Sequence, residues 1–164
     1  MIIKDFKIHF LFSAAILILL VVSCDPSKKY QKDEDTAIQN YLNANSSLKF
    51  VLRPSGLYYL EVVAGTGDSP VLNDSAFVKY TGKLLSGTIF DSNVSTGTLY
   101  GFIVGQNIVG FDEGVMLMKA GGKSTLLIPS KLGYGSMGSY PYISGYTPLL
   151  FDLELVKVVH HSAK

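Results

Sequence analysis

The sequence predicts an α+β fold: an antiparallel, strongly curved half-barrel of about five strands wrapped on one short helix. Three observations carry that expectation. Sixteen glycines mark frequent turns, as in a strand-rich chain. Several segments alternate apolar and polar residues with period two. Between two of them lies one short segment with apolar residues at helical spacing.

A chain of 164 residues suits one domain. Hydrophobic residues make up 48% and charged residues 16%, which excludes a disordered chain. With 14 basic and 13 acidic side chains the net charge is +1, and no basic stripe is present, so nucleic acid is not an expected partner. The single cysteine excludes a disulfide framework and a Cys-based metal cluster.

Residues 10–22 (FLFSAAILILLVV) are apolar and uncharged, preceded by Lys4 and Lys7. A membrane-spanning helix needs about 20 apolar residues, so this run is too short for a comfortable span. A basic start, a short apolar core and Val21-Val22-Ser23-Cys24 have the layout of a secretory signal. With the sole cysteine directly after the small residue, the segment is similar to the lipobox of bacterial lipoproteins. That likeness implies removal of residues 1–23 and a lipid anchor on Cys24, tethering the protein to a membrane of the cell envelope, the periplasmic side of the outer membrane foremost. An ordinary signal followed by a free cysteine, and an uncleaved anchor, rank below it, because Cys24 falls where a lipobox demands it. Removal of residues 1–23 leaves 12 basic and 12 acidic groups, so membrane attachment would rest on lipid and not on charge.

Residues 24–45 read as a flexible tether whose second half, Asp33 to Asn43, forms a short helix with Ala37, Ile38, Tyr41 and Leu42 on one side. That helix is expected to cover the domain edge rather than to present a partner surface. Residues 46–164 form the folded domain. Its extended segments are GLYYLEVV, SAFVKYTGKLL, Thr88 to Asp91, Tyr100 to Val104, KSTLLIP and LLFDLELVKV. Phe111, Val115 and Met118 mark the short helix, with acids in its first turn. A glycine-rich loop runs from Gly133 to Gly145.

Several catalytic patterns fail. GGKS at Gly121 to Ser124 lacks the glycine of a phosphate loop at position 117, which is Leu117. His160 and His161 sit at the C-terminus, placed for neither a triad nor a zinc site, and no G-x-S-x-G elbow occurs. Neither a metal nor a cofactor is expected. What remains is a set of aromatic rings, Tyr80, Phe90, Tyr100, Phe102, Phe111, Tyr134 and Phe151, with one carboxylate, Asp91, beside Phe90. They could line an apolar cleft of a half-open barrel. From spacing alone they fill a core.

The order of the motifs changes that weighting. VKYTGKLLSGTIFDSN, then FIVGQNIVGFDEGVMLMKAGGKSTLLIPSKLGYG, then ISGYTPLLFDLELVKV resemble the FKBP-type peptidyl-prolyl cis-trans isomerases over about residues 55–158. The resemblance implies a cofactor-free isomerase of proline-containing polypeptides, assisting the folding of exported or envelope proteins, a monomer, with macrolide inhibitor binding. It implies catalytic roles for Tyr80, Asp91 and Tyr134. It assigns substrate contacts to Phe90, Phe102, Asn107, Ile108, Phe111, Ile143 and Phe151, with Tyr100 at the rim. Phe111 takes the pocket floor, usually a tryptophan, and Asn107 stands where an apolar side chain is usual. The loop SMGSYPYISGYTP lacks the paired prolines of many members. The competing readings are a non-catalytic chaperone of the same fold, and a structural part of an envelope complex that docks through Tyr30 to Asn45.

Overall fold

The structure is a computed structural model and describes residues 26–161. The signal segment and Cys24 lie outside the described residues. The described chain runs α1 (Pro26–Ala44), β1 (Val51–Leu52), β2 (Tyr58–Val63), β3 (Ser75–Leu84), β4 (Ile89–Ser92), β5 (Tyr100–Ile103), α2 (Val109–Met116), β6 (Lys123–Ile128), a single 3-10 turn (Ser130–Leu132) and β7 (Leu149–Val159). The strands form one antiparallel sheet in the order β1-β2-β6-β7-β3-β4, with β5 also on β3.

This is a sheet of seven strands, not about five. β4 and β5 answer to the extended segments read at Thr88 to Asp91 and Tyr100 to Val104, whereas β1, with two residues, is too short to register as alternation. β4 and β5 share one edge of β3: Thr81–Lys83 pairs with β4 and Ser75–Val78 with β5. The gap between them is filled by Asn93, whose Oδ1 accepts from the Tyr80 N–H at 2.7 Å and whose Nδ2 donates to Val78 O at 3.0 Å. A side chain here does the work of a missing ladder strand.

Period two decides the faces. Ala76 and Val78 of β3, Leu126 and Ile128 of β6, and Phe151, Leu153 and Leu155 of β7 point to the concave face, where α2 adds Phe111 and Val115. Close approach of α2 to β6 needs two glycines: a Cβ on Gly114 would meet a Leu126 methyl at 2.2 Å, and one on Gly110 an Ile128 methyl at 2.5 Å. α2 begins at Val109, two residues before the expected Phe111, capped by the extended Ile108. The convex face carries charge, with Lys83 on Asp152 at 2.5 Å and Glu154 between Lys79 and Lys123 at 3.6 and 3.3 Å.

α1 corrects the tether expectation. It begins at Pro26, so Pro26 to Lys32, read as flexible, are its first two turns. Proline at the first helical position presets φ and forfeits no bonded N–H. Ile38 packs on Leu127 and Leu150 of the convex face. No described helix is long and apolar enough to cross a membrane.

Candidate active site

The site is an aromatic bowl between α2 and the concave faces of β3, β5 and β7. Phe111, at the first turn of α2, is its centre. Its ring meets Phe151 at 5.2 Å and 79°, Phe102 at 5.5 Å and 63°, and Tyr80 at 6.4 Å and 87°. Such edge-on contacts set the positive ring edges against the negative faces and fix each ring's orientation. Phe90 stands edge-on to Phe151 at 5.6 Å, and Tyr100 stacks on Phe102 at 5.2 Å. The floor is dry: Phe111 is 4% exposed, Phe151 6%, Phe102 9% and Ile143 6%. The rim is wet, with Tyr100 and Tyr134 exposed at 38% and 37%.

Polar groups sit only on that rim. The Tyr80 hydroxyl donates to Asp91 Oδ2 at 2.6 Å. Burial first, then the Asp91 carboxylate, pushes the Tyr80 phenol well above its ordinary range. Tyr134 is also raised, first by burial and then by the negative charge of the Asp91 carboxylate. Both hydroxyls therefore remain protonated, hydrogen-bond-donating groups at neutral pH. Ile108, the cap of α2, offers its N–H at the helix end where backbone donors have no intrahelical partner.

Asn107 stands beside Ile108 at the start of α2 and has two polar neighbours. Its Oδ1 accepts from the Tyr100 hydroxyl at 2.9 Å, and its Nδ2 donates to Asp112 Oδ1 at 3.3 Å. Asp112, 5% exposed, also accepts the Asn107 N–H at 2.9 Å. Through these bonds the Asn107 amide orients the Tyr100 hydroxyl at the rim. The structure brings Tyr80, Phe90, Asp91, Phe102, Ile108, Phe111, Tyr134 and Phe151 around the bowl, with Ile143 buried in the same core. Cys24 lies outside the described residues.

Three residues escaped the sequence reading. Asp112 appeared only as an acid in a first turn. Asn93 drew no role from the sequence. Gly82 looked like a routine strand glycine, yet a Cβ there would stand 2.6 Å from Phe90 and 3.0 Å from Phe151. Gly82 is what lets those two rings meet. A glycine within an alternating strand was the available signal. Among the described residues no group of three or more His, Cys, Asp or Glu side chains could hold a metal ion.

Residues 67–156 match the model of the FKBP-type peptidyl-prolyl cis-trans isomerases. The chain belongs to that family. The probable FKBP-type isomerase FkpA of Neisseria meningitidis is 41% identical over 104 residues, covering 63% of this chain and 38% of that protein. The outer membrane protein MIP of Legionella longbeachae is 39% identical over 119 residues, 72% of this chain and 51% of MIP. The chain thus spans about half, or less, of the length of these curated relatives. The crystal structure of FkpA from Escherichia coli superposes with a TM-score of 0.73 at 29% identity, covering 94% of this chain and 73% of that one. The antiparallel open sheet with a short helix is the FKBP fold.

Proposed function

We propose that this family member is a peptidyl-prolyl cis-trans isomerase acting on exported or envelope polypeptides. The observation that carries the reading is the bowl itself: a dry floor of edge-on rings at Phe111, with hydroxyl donors and one carboxylate confined to its rim. Rotation about an X–Pro bond crosses a barrier of about 18–20 kcal/mol and takes tens of seconds or more unaided. A five-order acceleration needs about 7 kcal/mol of differential stabilisation. The twisted imide loses resonance and carbonyl charge, so an apolar bowl favours it over the planar, hydrated ground state. No proton moves and no bond breaks. Tyr134 and the Ile108 N–H hold the flanking carbonyls and select a twisted conformer. Asp91 fixes the Tyr80 hydroxyl at the rim. Phe90, Phe102 and Phe151 wall the proline ring, and Ile143 backs the loop. Macrolide inhibitors of the family would occupy the same bowl.

Under this reading the protein works as a lipid-anchored monomer, held by Cys24 on the periplasmic side of the outer membrane. The placement of Cys24 supports this, as does the name of the Legionella relative, an outer membrane protein. Cys24→Ser should abolish labelling by a fatty-acid analogue; unchanged labelling would remove the anchor from the proposal. A second reading, a chaperone that grips apolar segments without turnover, draws on the exposed Met137, Tyr140 and Tyr142 of the long loop, 87%, 96% and 71% exposed. A protease-coupled proline-peptide assay beside an aggregation-suppression assay separates the two. Acceleration at micromolar protein, undiminished by chelator, supports the isomerase. An uncatalysed rate with aggregation suppressed supports the chaperone.

A further inference from the structure

The long loop that carries Tyr134 and Ile143 is held at both ends by α1, through Glu34 and Tyr30. Glu34 is 9% exposed, and its two carboxylate oxygens take both donors of Ser130: the backbone N–H at 2.5 Å and the hydroxyl at 2.6 Å. Ser130 O in turn accepts from the N–H groups of Gly133 and Gly135, at 2.9 and 2.8 Å. Those two amides bracket Tyr134. Gly135 O then accepts from the Tyr146 N–H at 2.9 Å, and the Tyr146 ring stacks on Tyr30 of α1 at 5.4 Å and 16°. The circuit closes: Glu34, Ser130, the two glycines flanking Tyr134, Tyr146, Tyr30.

The space between these points is open. A cavity of about 690 Å³ lies between α1 and the loop, with Gln31, Glu34, Ser130, Ser136 and Tyr146 in its walls. The loop is therefore not wedged in place by packing on this side. The described contacts from α1 to the ends of the loop include one that is charge-assisted and buried and one that is aromatic.

We propose that Glu34 and Tyr30 are positioning residues: through Ser130 and Tyr146, α1 sets where the 133–146 loop puts Tyr134 at the mouth of the bowl. Neither residue touches the rings of the bowl. Their effect on turnover passes through the loop, and that part alone rests on the isomerase reading.

The test uses the full chain and two readouts. Amide exchange reports loop placement without reference to turnover. In Glu34→Ala, exchange at Gly133, Gly135 and Tyr146 should rise by about tenfold or more while Leu153 in β7 stays as protected as in the wild type. Unchanged exchange at those three amides, or a rise shared equally by Leu153, overturns the proposal. Glu34→Gln, whose amide oxygen still accepts the Ser130 N–H, should restore protection; failure to do so overturns the hydrogen-bond account. Kinetics supply the second readout. Glu34→Ala should lower kcat/KM by about tenfold in the wild-type background, but by less than about threefold in Tyr134→Phe, because the loss acts through that hydroxyl. Equal losses in both backgrounds overturn the link to Tyr134. A wild-type protein that accelerates nothing, yet shows the expected exchange pattern, refutes the isomerase reading and leaves loop positioning upheld.

Discussion

Phe111→Ala separates a pocket floor from a core residue. The ring is 4% exposed and meets three other rings edge-on, so its removal takes away a full buried side chain and three oriented aromatic contacts. Truncating a buried Phe to Ala costs about 3–5 kcal/mol of stability. Each aromatic pair contributes about 0.5–1.5 kcal/mol beyond its area, which places the expected loss in the upper part of that range. If the proline ring also packs on Phe111, kcat/KM of the fraction still folded falls by at least about tenfold, or about 1.4 kcal/mol of transition-state stabilisation. Thermal melting and protease-coupled kinetics on the same preparation give both numbers. Phe111→Trp is the complementary variant. It adds area and an indole N–H, so activity should hold or rise and macrolide binding should strengthen, with melting lowered by the extra volume. A destabilised Phe111→Ala whose folded fraction keeps full activity would refute the floor assignment and leave Phe111 as core.

Tyr80→Phe removes the hydroxyl on Asp91. Because Asp91 is exposed and can rehydrate, stability should shift by less than about 1 kcal/mol, while kcat/KM drops about three- to tenfold. A lowered melting temperature with full activity would make the pair structural. Gly82→Ala drives a methyl into Phe90 and Phe151, so stability should fall by about 1–3 kcal/mol and KM should rise as Phe90 swings from the wall. Unaltered kinetics in that variant would detach Phe90 from the site. The C-terminal strand end carries a pH dependence. The His160 pKa is raised, first by its 2.7 Å hydrogen bond to Asp74, so its contribution to stability is complete below pH 6.5 and lost as pH rises through the raised value. The Asp74 pKa is lowered, first by the Val71 N–H, so its contribution holds above pH 3.8 and is lost as pH falls through the lowered value. Melting temperature should decline on the alkaline side of pH 6.5 in the wild type and follow a flatter profile in His160→Gln; identical profiles would contradict the assignment.

The sequence by itself determined the face of nearly every long strand. In β7, Phe151, Leu153 and Leu155 alternate with Asp152 and Glu154, and that alternation can fold only with the apolar set inward. It also named the rings, which spacing alone assigned to a core and the order of the motifs assigned to a site. What the tertiary structure decided lies wherever a partner is distant in the chain. Asn93 substitutes for a ladder strand because β4 and β5 leave Tyr80 between them, a gap that no local pattern encodes. The Asn107 amide meets Tyr100 and Asp112, seven and five positions away, in contacts that residue type alone does not announce. The first turns of α1, Pro26 to Lys32, look like solvated tether by composition, yet they are helical, with Tyr30 against Tyr146; in the part of the helix that follows, Glu34 meets Ser130, a partner about a hundred positions away. Periodicity reports burial against any apolar surface, whereas a hydrogen bond or a stacked ring needs one particular partner, and only the folded chain says which partner arrives.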